Sequence, residues 1–413
     1  MGAGEEMIRE KMLTEFEDRF GTGEPSMYFA PGRVNLIGEH TDYNGGCVLP
    51  CALTMGTWAA VRPRRDGIVR VFSLNREDDG SFTYPVPSFP DVLSPADGTH
   101  EKEIFGIEGP MIRTGRWPDY VMGVLYSFRE HGYILPCGFD MLVFGTIPEG
   151  AGLSSSASLE VVTAFMLRDQ FSFPVTDTEI ALFSQEAENR FVGMNCGIMD
   201  QFAVTFGKKD HAVYLETDSL QYRLVPVLLQ GHRIVIANTN KKHRLTDSAY
   251  NDRRRECEEA LRILQGGSDI CHLCDLTPEA FEELQHLIHD PVIRKRTRHA
   301  VYENAHVKKA LDVLTDGDLR RFGELMDASH FSLTEDYEVT GEELDTLASA
   351  ARMHPGCLGS RMTGGGFGGC TVSIVKAEDV DDFIEKTGNI YRDRIGHDAD
   401  FYVAEIGSGP ARL

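Results

Sequence analysis

The sequence predicts a two-domain α+β protein, and three observations carry that prediction. The first half of the chain is the richer in short β-forming runs separated by glycine turns. The last part alternates strand and helix patterns around the run Gly364-Gly365-Gly366-Phe367-Gly368-Gly369. At residues 148–160 a strand signal, a Gly/Ser loop and a helix signal meet. A chain of 413 residues that is 42% hydrophobic can bury substantial cores, and its length allows about two to three domains. The change of pattern gives an N-terminal domain over residues 1–210 and a C-terminal domain over 211–413.

Ile8, Met12, Phe16 and Phe20 recur at helical spacing, so the chain opens with an amphipathic helix that Gly21, Gly23 and Pro25 stop. Residues 27–30 read as a strand that runs into a glycine-punctuated polar stretch, 31–46. Short strands are expected over 47–52, 57–62 and 69–73, a loop or insertion over the proline-rich 85–110, and a helix over 117–130. Residues 139–144 form a short apolar β-run, and 157–171 are apolar almost all round, the mark of a buried helix. Thr176, with Glu179 three residues later, makes a capping box ahead of Ile180, Phe183, Ala187, Phe191 and Met194 on one helical face. Glu186 and Glu188 flank that stripe on opposite sides, and periodicity does not choose between them. Beyond lie a strand at 233–237 and helices at 248–264, 278–287, 291–314, 319–328 and 342–351. Strand 371–375, helix 378–391 and strand 401–404 complete the chain.

The Gly/Ser loop carries the first functional signal. Gly150 and Gly152 admit backbone conformations closed to residues with a Cβ, so amide N–H groups can crowd toward one point. The helix that follows presents unpaired N–H groups and partial positive charge, which suits phosphate. A serine-capped helix needs one hydroxyl, so Ser154, Ser155 and Ser156 leave two for a ligand or metal. The P-loop alternative fails, because no Lys-Ser/Thr pair follows the last glycine.

Composition sets the limits. With 41 basic and 64 acidic residues the net charge is −23, which argues against a general nucleic-acid binder and requires a local site for any anion. No apolar run reaches membrane-span length, and the beginning of the chain, with Glu5, Glu6 and Glu10, lacks signal-peptide character. Nine scattered cysteines fit reduced thiols in the cytoplasm. Cys271-His272-Leu273-Cys274 has no second ligand pair at zinc-site spacing. The expectation is a cytoplasmic protein with no nucleic-acid and no membrane partner.

Glu39, His40 and Asp42 place three hydrogen-bonding groups within four residues beside glycine turns, as a site for a multi-hydroxyl ligand would. Read alone, the same stretch is a polar turn. Taken together with the other segments, it resembles the galactokinase family of the GHMP kinase superfamily. Residues 32–46 (GRVNLIGEHTDYNGG) are similar to that family's signature, 148–158 (PEGAGLSSSAS) to the superfamily's phosphate loop, and 361–370 (RMTGGGFGGC) to its C-terminal glycine motif. Residues 195–201 (NCGIMDQ) and 248–254 (SAYNDRR) are also similar to family patterns, and the order and spacing agree.

The resemblance implies an N-terminal ribosomal S5 domain 2-like fold and a C-terminal ferredoxin-like fold. It implies transfer of the γ-phosphate of MgATP to the anomeric hydroxyl of α-D-galactose, with D-galactose and ATP as partners of a chain expected to be a monomer. Sugar contacts are implied for Glu39, His40, Thr41, Asp42, Gly197 and Tyr250, with Asp200 as catalytic base and Arg33 beside it. ATP contacts are implied for Gly150, Ala151, Gly152, Leu153, Ser154, Ser155 and Ser156, with Ser73 and Trp117 near the adenine. Ser156 and Glu188 match the Mg²⁺ ligands, which decides against Glu186. Two rivals are a sibling kinase for N-acetylgalactosamine or L-arabinose and a catalytically silent sugar sensor. Relatives specific for the acetylated sugar tend to read EHIDY where this chain has Thr41, and sensors lack a Ser-Ala pair where Ser156 and Ala157 stand, so galactose phosphorylation is favoured over both.

Overall fold

A computed structural model describes residues 3–85, 113–148, 150–241 and 246–413, so nearly all of the expected proline-rich loop lies outside the described residues. Helix α1 (Ala3–Phe20) buries Met12, Phe16 and Phe20. They pack on one face of a six-stranded sheet, against Met27, Trp58, Ala60, Phe72 and Leu142. The sheet comprises β1 (Ser26–Asn35), β3 (Pro50–Pro63), β4 (Ile68–Ser73), β5 (Phe82–Pro85) and β6 (Phe139–Gly145), joined by the C-terminal β13 (Ala411–Arg412), in the order β13-β1-β3-β6-β4-β5. All its pairs are antiparallel except β4 with β6. Because side chains alternate along a strand, Met27 and Phe29 face α1 while Tyr28 and Ala30 face the main core. That core is covered by α2 (Pro118–Glu130), α3 (Ser155–Phe171) and α4 (Asp177–Glu186), whose Val121, Val124, Val161, Val162, Ile180 and Phe183 are all buried. The Thr176–Glu179 capping box is formed at the start of α4.

The first correction concerns β1. The sequence places a loop from Pro31 onward, but the strand continues through Pro31 and Gly32 to Asn35, with a shift of register between Pro31 and Arg33. Arg33 therefore projects from a strand. The strands expected at 47–52 and 57–62 are instead the short β2 (Cys47–Val48) and the long, unbroken β3. Further elements were not foreseen: β5 and β13 at the two edges of the first sheet, helix α5 (Met199–Phe206), the hairpin of β7 (His211–Glu216) and β8 (Gln221–Pro226), which extends β2, and β10 (Cys357–Thr363).

The second half is built on a four-stranded antiparallel sheet, β10-β11-β9-β12, from β9 (His232–Asn238), β11 (Cys370–Lys376) and β12 (Asp400–Ala404) with β10. One face carries α10 (Gly341–Met353) and α11 (Val380–Ile395), through Val235 and Val375 against Ala351 and Phe383. The other face, with Ile234, Ile236, Val372 and Ile374, meets α8 (Pro291–Thr315) and α9 (Leu319–Ser332), and also Val34, Leu36 and Leu49 from the first half. The two sheets thus share one core. Helices α6 (Thr246–Leu264) and α7 (Pro278–Leu284) pack with α8 and with a π-type turn, Leu333–Tyr337, into a further cluster. Among the described residues no helix is long and apolar enough to cross a membrane.

Candidate active site

Five chain segments, several of them far apart in sequence, meet at a cavity of about 400 Å³. It is lined by Arg33, Glu39, His40 and Asp42, by Gly152 and Glu188, by Gly197 and Asp200, by Tyr250, and by the glycine run 364–369.

Arg33 is buried, and its guanidinium grips the Asp200 carboxylate with two bonds, Nε to Oδ1 at 2.7 Å and Nη2 to Oδ2 at 2.8 Å. Its remaining arm, Nη1, donates to the carbonyl of Gly152 at 2.7 Å. Burial works against the charge of Arg33, but Asp200 and Glu39 outweigh it and raise its pKa. One side chain on β1 therefore ties α5, which carries Asp200, to the glycine loop ahead of α3.

Of the three serines, Ser154 stands at the N-cap position of α3, in a left-handed conformation (φ 60°), but it makes no capping bond: its hydroxyl donates to Asp200 Oδ2. The first turn of α3 thus carries no side-chain cap, as a turn facing phosphate requires. Gly150 and Gly152 both take positive φ, whereas Ala151 and Leu153 turn their side chains into the shared core. Ser155 is exposed, and the Ser156 hydroxyl donates to Glu188.

Glu188 is almost fully buried in the π-type turn that follows α4, whereas Glu186 accepts from Ser127 and His131 and pairs with Arg190. Gln201 donates through Nε2 to both Glu188 (2.6 Å) and Glu160 (3.0 Å). Burial, then the charge of Asp200, pushes Glu188 up to about 7; burial and Glu188 push Glu160 well above the ordinary carboxyl range. Glu160 and Gln201 had no sequence signal beyond their motifs.

The sugar-motif residues divide. Glu39 is buried, with Oε1 accepting from the Gly364 amide at 2.8 Å and from Arg361 at 3.3 Å; burial raises its pKa while Arg361 and Arg33 oppose the rise. His40 takes positive φ, its Nδ1 lies 2.9 Å from the Tyr43 hydroxyl, and burial lowers its pKa to about 3, so the ring is neutral. Tyr250 stands 5.6 Å from the His40 ring. A Cβ on Gly197 would overlap the Asp42 carboxylate, so any larger residue there would displace Asp42 from its place in the cavity. Thr41 departs from the expected role: it is fully buried, and its hydroxyl lies against the carbonyls of Gly38 (3.0 Å) and Cys47 (2.8 Å), where it shapes the turn. Ser73 is buried at the end of β4, its hydroxyl accepting from the Asn75 amide, and Trp117 meets Phe82 edge-on. Neither lines the cavity.

The glycine run closes the cavity from the second half of the molecule. A Cβ on Gly364, which has φ 87°, would stand 3.1 Å from the Gly152 carbonyl, so only glycine lets the two loops approach this closely.

A half-buried carboxylate gripped by a guanidinium, an uncapped helix start and a pair of oxygen donors, all carried on this α+β fold, fit a small-molecule kinase of the GHMP class. Family models agree: the galactokinase galactose-binding signature matches residues 14–63, the GHMP kinase N-terminal domain 119–208 and the GHMP kinase C-terminal domain 307–392. The chain is 49% identical to a galactokinase of Lactiplantibacillus plantarum over 97% of its own length and 98% of the relative's. It is 48% identical to one of Bacillus subtilis over 98% and 99%. Among solved structures, Lactococcus lactis galactokinase complexed with galactose superposes with a TM-score of 0.91 at 42% identity, covering 98% of this chain and 100% of that one. Methanococcus jannaschii mevalonate kinase, at 15% identity and a TM-score of 0.62, shares the fold. The chain belongs to the galactokinase family.

Proposed function

We infer that the protein transfers the γ-phosphate of ATP to the anomeric hydroxyl of α-D-galactose, giving galactose 1-phosphate and ADP. The observation that carries this reading is the double engagement of Arg33, which fixes the base Asp200 and the phosphate loop through one guanidinium. Glu39, His40, Asp42, Gly197 and Tyr250 would hold the sugar on the side of Asp200 away from Gly150–Ser156, where the ATP phosphates would lie.

Asp200 receives three hydrogen bonds, two from Arg33 and one from Ser154, which fix the direction of its carboxylate. Phosphoryl transfer through a loose transition state asks little of the base before the transferring group has left, so Asp200 aligns the hydroxyl and takes its proton late. Arg33, charged and buried, also offsets negative charge near the transferred group.

The donor set that would meet a divalent cation is small: Ser156 and Glu188 offer oxygen donors beside the phosphate loop, and among the described residues no group of three His, Cys, Asp or Glu side chains is placed to hold a metal ion, so phosphate oxygens and water would complete the coordination. Mg²⁺ held by Ser156 and Glu188 would neutralise charge on the phosphate oxygens. The same reading has a cytoplasmic monomer divided near residue 210.

Rates with D-galactose, N-acetylgalactosamine and L-arabinose at equal MgATP test the substrate assignment. Galactose should give the highest kcat/KM; preference for either of the others would overturn it.

A further inference from the structure

Behind Glu39, on the side away from the cavity, lies a cluster of buried charges that the reaction as described does not use. Arg361 on β10 and Glu303 on α8 are both fully buried, and neither lines the cavity. Arg361 donates through Nη1 to the Asn35 carbonyl (3.1 Å) and to Glu39 Oε1 (3.3 Å), and through Nε to the Ser329 hydroxyl (3.1 Å). Its Nη2 stands 3.8 Å from Glu303 Oε1. That same oxygen of Glu303 accepts from the amides of Gly38 (2.9 Å) and Glu39 (3.3 Å) and from Ser329 Oγ (2.7 Å).

Glu303 thus fixes the backbone of the turn that presents Glu39, and Arg361 fixes its side chain. A buried carboxylate with no partner would be costly, and two near one another more so; Arg361 stands between Glu39 and Glu303 and answers both. A planar guanidinium reaches the Asn35 carbonyl, Glu39 and Ser329 from two nitrogens held in fixed directions, whereas an ammonium has all its donors on one atom.

We propose that Arg361 is a positioning residue for the sugar site, setting the direction of the Glu39 carboxylate from the second half of the molecule. This rests on Glu39 contacting galactose. Arg361 touches neither substrate and acts through Glu39 alone.

The test is a double-mutant cycle of Arg361→Lys and Glu39→Gln, with KM for each substrate and kcat measured on protein whose fold is confirmed by circular dichroism. Arg361→Lys should raise the galactose KM about tenfold or more, the scale of one charged hydrogen bond, and leave the ATP KM within about twofold. In the Glu39→Gln background it should add little. Should Arg361→Lys fail to fold, Ser329→Ala takes its place, removing only the hydroxyl shared by Arg361 and Glu303. It should raise the galactose KM about threefold, and not in the Glu39→Gln background. A folded variant with unchanged galactose KM, or fully additive effects, overturns the proposal alone. An unchanged galactose KM in Glu39→Gln overturns it together with the sugar role of Glu39.

Discussion

Burial, then the charges of Asp200 and Glu39, pushes Asp42 from its ordinary value of 3.8 up to about 7, while the amides of Met199 and of Asp42 itself pull the other way. In the proposed function Asp42 accepts a hydrogen bond from a sugar hydroxyl and works ionised, so kcat/KM for galactose should fall about tenfold per pH unit below about 7. Asp42→Asn should be less active and should lose part of that acid limb, the remainder following Glu188, which is also pushed up to about 7. His40, lowered to about 3, contributes no limb of its own. Stability moves the other way. Between about 4 and about 7 the folded protein holds a proton that the unfolded chain has released, so this group stabilises the sugar-free protein as the pH falls through 7. A wild-type profile flat from pH 6 to 8, or one unchanged by Asp42→Asn, would contradict this account.

Strand β6 shows what an element needs in order to end at the right place. Its Asp140 is buried and receives Arg70 (2.6 Å), Arg64 (2.9 Å) and Arg62 (3.1 Å), which pins the ends of β3, β4 and β6 together. Burial raises its pKa, but the three arginines outweigh burial and hold it below its ordinary value. Its contribution is therefore present above about 4 and lost as the pH falls. Asp140→Asn should cost about 3 kcal/mol in urea unfolding with the galactose KM unchanged, and a loss under about 0.5 kcal/mol would refute the pinning role. Elements with a local signature were legible in the sequence: α1 by its spacing of Met12, Phe16 and Phe20, and α4 by its capping box. Helix α5 was not, because its eight residues are too short for periodicity and Met199, Phe202, Ala203 and Val204 are buried on nearly every side. Strand β10 was hidden because its buried residues include Ser360, Arg361 and Thr363, which read as surface. The site's motif residues could be read from their resemblance. The network of Arg361 and Glu303 could not, since its links to Gly38 and Glu39 span more than 260 positions and only the fold joins them.

At the scale of the whole molecule, neither half holds the site alone. The first supplies Asp200 and Arg33, the Glu39–Asp42 turn and the Gly150–Ser156 loop, which the proposed function makes the base, the sugar turn and the phosphate loop; the second supplies Tyr250, the glycine run and the charges behind Glu39. The common core and the return of β13 to pair with β1 hold the halves in register. What this arrangement exists to do is align one hydroxyl on Asp200 against the phosphates, and the direct measurement is coupled ADP release with MgATP, with and without D-galactose, for the wild type beside Asp200→Ala. The account predicts galactose-dependent turnover in the wild type and a loss of about 10²- to 10⁴-fold in the variant with ATP binding retained. Comparable turnover in the variant, or ADP release indifferent to galactose, would contradict it.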